Sequence, residues 1–114
     1  MNAALRSSRT PSRIGVLISA VNLSEVLGKM ADVGVSADAA ADLVTSLFVE
    51  VVPFGLASAR EAARLRAALP SAGLSLGDRA CLGLARSRGL AAVTADRAWL
   101  GLADEIAVEV RSIR

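Results

Sequence analysis

Residues 75–99 read SLGDRACLGLARSRGLAAVTADRAW, and this stretch decides the fold. Ser75-Leu76-Gly77-Asp78 matches a capping box: the serine accepts from the amide three residues on, and the acid reaches back. A helix rich in small residues follows, with turn chemistry at Gly89. The short apolar run Leu90–Val93 then reads as a buried strand ending near Thr94. Helix–strand–helix is the repeating half of a parallel α/β sheet. Functional crevices in such sheets lie beyond the carboxyl ends of the strands, which is where Asp96 falls. Asp78 and Asp96, together with Glu25, are the candidate carboxylates of a divalent-metal site.

Outward from this unit the chain alternates helices and strands. Residues 3–7 (AALRS) read as the end of a helix, followed by the loop SRTPSR with Pro11 as its breaker. Ile14–Ile18 is a short apolar run with strand character. Ser19 caps a helix running to about Ala31, whose apolar face is Leu23, Val26, Leu27 and Met30, with Glu25 roughly opposite. Gly34 ends it. Ser36 caps the next helix, about Ala37 to Phe48, with Asp38 near its positive end. Glu50–Phe54 is strand-like, and Pro53 marks its end or a place where one N–H is not required. A helix over Ala57–Leu69 follows, charged on one side by Arg60, Glu61, Arg64 and Arg66. The loop Pro70–Gly73 returns to the central unit. After Asp96 a short helix holds Trp99 and Leu100, and Val108–Ile113 is the last strand. No repeats or linkers interrupt the 114 residues, so a single domain over 1–114 is expected.

Composition narrows the chemistry. The chain has no histidine, which removes the Ser-His-Asp triad, the HExxH zinc motif and any imidazole acid–base pair. One cysteine makes neither a disulfide nor a metal cluster, and Cys81 reads as a small core residue. Phe48, Phe54 and Trp99 are the three aromatics, too few for a base-stacking platform. Any chemistry here falls to carboxylates. The net charge is +2, with twelve arginines to one lysine; this suits phosphate contacts, and it equally fits a GC-rich coding bias. No apolar run approaches the ~18 residues of a membrane span. With no secretory h-region or cleavage signal, a cytoplasmic address is expected.

Each acid has a structural alternative. Asp78 fits the capping box, yet it projects on the side of Cys81, Leu82 and Ala85, where a carboxylate needs a partner such as a cation. Asp96 is placed equally well to cap a helix over Arg97–Leu102 or to serve as a strand-end ligand. Glu25, opposite an apolar stripe, has a solvated alternative. Asp32, Asp38, Asp42, Asp104 and Glu105 read as solvent-facing charges. Mg²⁺ or Mn²⁺ takes hard oxygen ligands and keeps several waters, so a few carboxylates suffice.

The runs SAVNLSEVLGKM, LSLGDRACLGLARSRGL and AVTADRAW, in this order, resemble the PIN-domain ribonucleases, and most closely the VapC-like toxins of type II toxin–antitoxin pairs. The likeness extends from about Ala3 to Arg114. It implies a three-layer α/β/α fold with a mostly parallel central sheet. The implied activity is metal-dependent cleavage of single-stranded RNA, using Mg²⁺ or Mn²⁺. Carried over by motif, Glu25 in NLSE, Asp78 in GDRA and Asp96 in TADR match three of the family's acids, and Thr94 would support the site with its hydroxyl. Arg79 and Arg97, near these acids in sequence, are candidates for substrate phosphates. The implied partners are single-stranded RNA, a cognate antitoxin and a second copy of the chain.

The family opens with a strand ending in a DxSA-like motif that supplies a further aspartate, and no acidic residue precedes Glu25 here. The resemblance therefore predicts an N-terminally truncated domain. Its first strand and most of its first helix would be missing, leaving unpaired strand edges. Either the natural start lies upstream, or the product is impaired. Three functions follow: a ribonuclease toxin, a catalytically impaired PIN remnant that binds antitoxin or self-associates, and an unrelated α/β binding domain whose acids are caps.

Overall fold

The structure, a computed structural model, describes residues 2–5, 15–47 and 49–113. The expected SRTPSR loop, Ile14 and Phe48 lie outside them. Five strands form one sheet: β1 (Ala3–Leu5), β2 (Val16–Ser19), β3 (Val49–Val52), β4 (Ala91–Thr94) and β5 (Val110–Ser112). The helices are α1 (Ala20–Asp32), α2 (Ala37–Ser46), α3 (Leu56–Ala68), α4 (Leu76–Arg88) and α5 (Ala103–Ile106), with a 3₁₀ helix over Arg97–Leu102. Among the described residues no helix is long and apolar enough to cross a membrane.

The helix boundaries follow from their caps. Ser19, Ser36 and Ser75 each accept a backbone N–H at the start of α1, α2 and α4. Gly89 ends α4 in the left-handed region at φ 64°, where its missing Cβ removes the steric penalty. Pro53 falls just after β3, outside the hydrogen-bonded ladder.

The strand order is β3-β2-β1-β4-β5. The pairs β2–β3 and β4–β5 are parallel, and β1 runs antiparallel to both its neighbours. The α/β class with a mostly parallel sheet holds. Two expectations are corrected. Residues 3–5 are strand, not helix: Ala4 pairs with Leu17 on one side and Ala92 on the other. Three residues are too few to show a period, and alanine's helix preference yields to two neighbours that each need a ladder partner. For the same reason the centre of the sheet is not left with unpaired edges: Ala3–Leu5 fills it, and β2 stays between β3 and β1.

The core lies against this central strand. Ala4, Leu17, Ile18, Leu65, Leu82 and Trp99 are fully shielded, and α4 buries every residue from Ala80 to Ala85. Alanines on β1 and β4 leave room for the helix to approach the sheet. In α1 the expected apolar face is only half-buried, and the buried residue is Asn22.

Candidate metal centre at the carboxyl edge of the sheet

Parallel strands β2 and β4 deliver Ser19 and Thr94 to one edge of the sheet. Because β1 runs backwards, its register carries Asn2 to that same edge, beside both. Three helix starts converge there: α1 after Ser19, α4 after Ser75, and the 3₁₀ helix after Asp96.

Asn22 lies in the first turn of α1 and is 2% exposed. Its Nδ2 donates to the Gly77 carbonyl oxygen at 2.9 Å and to Glu25 Oε1 at 3.2 Å. A carbonyl can only accept, so this bond settles which amide atom faces α4. Glu25, three residues on and on the same helical face, is thereby held over the first turn of α4. Gly77 makes the approach feasible: a Cβ there would lie 2.7 Å from Glu25 Oε2 and 2.8 Å from its Cδ. Any larger residue would displace the carboxylate.

Asp78 forms the expected capping box. Ser75 Oγ accepts from its amide at 3.1 Å, and its Oδ2 accepts from the Ser75 amide at 2.9 Å. Its other oxygen, Oδ1, faces Asn2 Nδ2 at 3.4 Å. Thr94, fully buried, accepts from the Asp96 amide at 2.9 Å and donates to Asn2 Oδ1 at 3.0 Å. Since the hydroxyl has one hydrogen, this pairing turns the amide of Asn2 toward Asp78. Asp96 in turn caps the 3₁₀ helix, its Oδ1 accepting from Ala98 at 3.0 Å. Capping thus uses one oxygen of each aspartate, and the second oxygen of Asp78 takes the Asn2 amide.

These groups border a groove of about 780 Å³, lined by Asn2, Asn22, Glu25, Lys29, Asp96 and Arg97 among others, with Val26 and Met30 of α1 as its apolar wall. Glu25 and Asp96 face it, Thr94 lies behind Asp96, and Asp78 joins through Asn2. Arg97 reaches the groove. Arg79 does not: it lines a separate hollow, with one guanidinium nitrogen 3.4 Å from the Ala62 carbonyl of α3. Sequence reasoning also passed over Asn22, Gly77 and Asn2. Asn22 carried a usable signal, a polar residue one turn before Glu25 and on its face. Asn2 carried none, since its place depends on strand pairing with residues some 90 positions away.

A hard divalent cation suits this donor set in part. All the candidate donors are oxygens, and Asn22 Oδ1 is buried without a hydrogen-bond partner among the described residues, an acceptor suited to a donor or a cation. Among the described residues, however, no three acidic, histidine or cysteine side chains stand close enough to enclose one ion. The arrangement fits a hydrated ion held by one or two carboxylates, as Mg²⁺ commonly is, and not a three-carboxylate cage. Cys81 takes no part. Burial, reinforced by the charge of Asp78, pushes its thiol up to about 12, and Sγ donates to the Ala3 carbonyl at 3.4 Å.

Acids placed past the strand ends of a mostly parallel sheet define an α/β protein with its polar site at the carboxyl edge. The PIN domain family model matches residues 3–105, and the chain belongs to that family. Membership points to a nuclease acting on nucleic acid, generally with a divalent metal. No curated protein matches the chain.

Proposed function

We propose that this protein is a metal-dependent endonuclease of single-stranded RNA, the VapC-like toxin of a toxin–antitoxin pair working in the cytoplasm as one PIN-like domain. The observation that carries the reading is the convergence of Glu25 and Asp96 on one groove, with Asp78 a single amide away. Glu25, Asp78 and Asp96 are the catalytic acids; Glu25 and Asp96, which face the groove, would hold a hydrated Mg²⁺ or Mn²⁺, with Asp78 linked to them through Asn2. Such an ion supplies an attacking water of lowered pKa and neutralises charge on the phosphodiester. Asn22 fixes the direction of the Glu25 carboxylate. Thr94 fixes the backbone from which Asp96 projects. Arg97 and Lys29, on the rim, attract the RNA backbone, and the apolar wall of α1 gives an antitoxin segment or a second copy a surface to cover.

The test is cleavage of a fluorescent single-stranded RNA in Mn²⁺, beside the same sequence as a duplex. The account expects cleavage of the single strand, none in EDTA, and at least a hundredfold loss in Glu25→Gln. Equal cleavage with and without EDTA contradicts it.

One observation favours a second reading. The neutral amide of Asn2 stands between Asp78 and Thr94, and the acids do not close round an ion. A PIN protein that binds antitoxin or self-associates without cutting RNA would look like this. Antitoxin binding with no Mn²⁺-dependent cleavage supports that alternative.

A further inference from the structure

We propose that the hollow between the end of α3 and the start of α4 is a phosphate subsite, in which Arg66 and Arg79 hold a backbone phosphate of the polynucleotide away from the carboxylates. The polynucleotide part rests on the nuclease reading above. The hollow, about 360 Å³, is lined by both arginines, by Ser75 and by the loop around Gly73, with no acidic residue among the described ones. Neighbouring arginines are already committed: Arg64 and Arg86 share Glu61 at 2.8 and 3.7 Å. Arg66 and Arg79 pair with no carboxylate among the described residues.

Arg79 is half-buried, and its Nε is shielded from water without a hydrogen-bond partner among the described residues. Among the described residues its guanidinium makes one hydrogen bond, to the Ala62 carbonyl, and that bond is long at 3.4 Å. A guanidinium with a desolvated, unused N–H is stabilised by an anion, and a phosphate oxygen suits its planar fork. The position favours a polymeric ligand. Asp78 and Arg79 are consecutive in the first turn of α4, so one turn presents an acid toward the groove side and a guanidinium toward the hollow. A chain laid across that turn meets both.

Two measurements decide it. In the first, the arginine Nε–H resonances of the ¹⁵N-labelled protein are followed during titration with inorganic phosphate. A saturable shift of Arg79, lost in Arg66→Ala, is expected; no shift, or equal shifts at every arginine, overturns the subsite. In the second, a fluorescein-labelled single-stranded RNA is bound in EDTA and its anisotropy read against salt. Arg66→Ala should weaken binding roughly tenfold and lower the salt slope by about 0.7, while Arg79→Lys, which keeps the charge and loses the planar fork, should weaken binding with the slope unchanged, both with melting temperatures near wild type. Unchanged affinity and slope overturn the polynucleotide role. If the wild type binds no RNA but Arg79 still shifts with phosphate, the anion site stands and the nuclease reading fails.

Discussion

Asn22 and Gly77, 55 residues apart in sequence, are joined by a 2.9 Å hydrogen bond that ties the first turn of α1 to the first turn of α4. Since the same amide also holds Glu25, the contact that docks the two helices also sets the direction of a candidate ligand. Replacing Asn22 by alanine strands the buried Gly77 carbonyl and frees Glu25. We expect a loss of about 1–3 kcal/mol, read as a lower midpoint in urea, together with reduced RNA cleavage. Wild-type stability and activity in Asn22→Ala would show that the bond does neither job.

Gly77→Ala separates the two jobs. The added methyl collides with the end of a flexible, exposed glutamate rather than with backbone, so Glu25 can swing away at little cost to the fold. Stability within about 1 kcal/mol of wild type is expected, since alanine also favours the helix. Cleavage should fall as far as it does in Glu25→Gln. A thermal melt and a cleavage assay on the same preparation check both halves.

Trp99 is 1% exposed, and its indole N–H is buried without a partner among the described residues. Trp99→Phe removes that unsatisfied donor while leaving part of the volume unfilled, two effects of opposite sign. Chemical denaturation should place Trp99→Phe within about 1.5 kcal/mol of wild type and Trp99→Ala about 3–5 kcal/mol below it.

Alkaline stability should report on Cys81. Its thiol moves from an ordinary value of 9.0 to about 12 in the fold, first through burial and then through the charge of Asp78. The unfolded chain therefore loses this proton near pH 9, while the folded chain keeps it to about 12. The contribution is fully present below pH 9 and is lost as pH rises toward 12. With no tyrosine and a single lysine in the chain, few other groups blur this window. Urea midpoints from pH 8 to 10.5 should fall for the wild type and stay flatter for Cys81→Ala.

Local chemistry made the central unit readable. A serine–aspartate capping box at Ser75 and a glycine at position 89 mark both ends of α4 without reference to any other part of the chain. The same locality put Asp96 at the end of β4 and at the start of a helix. What could not be read depends on distant partners. Ala3–Leu5 is a strand because Leu17 and Ala92 lie on either side of it, and alanine carries no such information. In α1 the half-buried stripe from Leu23 to Met30 dominates the periodicity, so the buried Asn22 is hidden by its apolar neighbours. The side of α4 toward which Arg79 turns is set by the Ala62 carbonyl of α3, which no spacing within GDRA reveals.

The central claim, that these carboxylates hold a divalent ion, is tested most directly by Mn²⁺ binding to Asp96→Asn. Asparagine caps a helix as well as aspartate, so this change removes charge and keeps the cap. Electron paramagnetic resonance of free Mn²⁺ gives the affinity, and a melt of the same sample gives the stability. The account predicts Mn²⁺ binding by the wild type, at least tenfold weaker binding in Asp96→Asn, and equal melting temperatures. Equal Mn²⁺ affinity in the two proteins would contradict it and leave Asp96 as a helix cap alone.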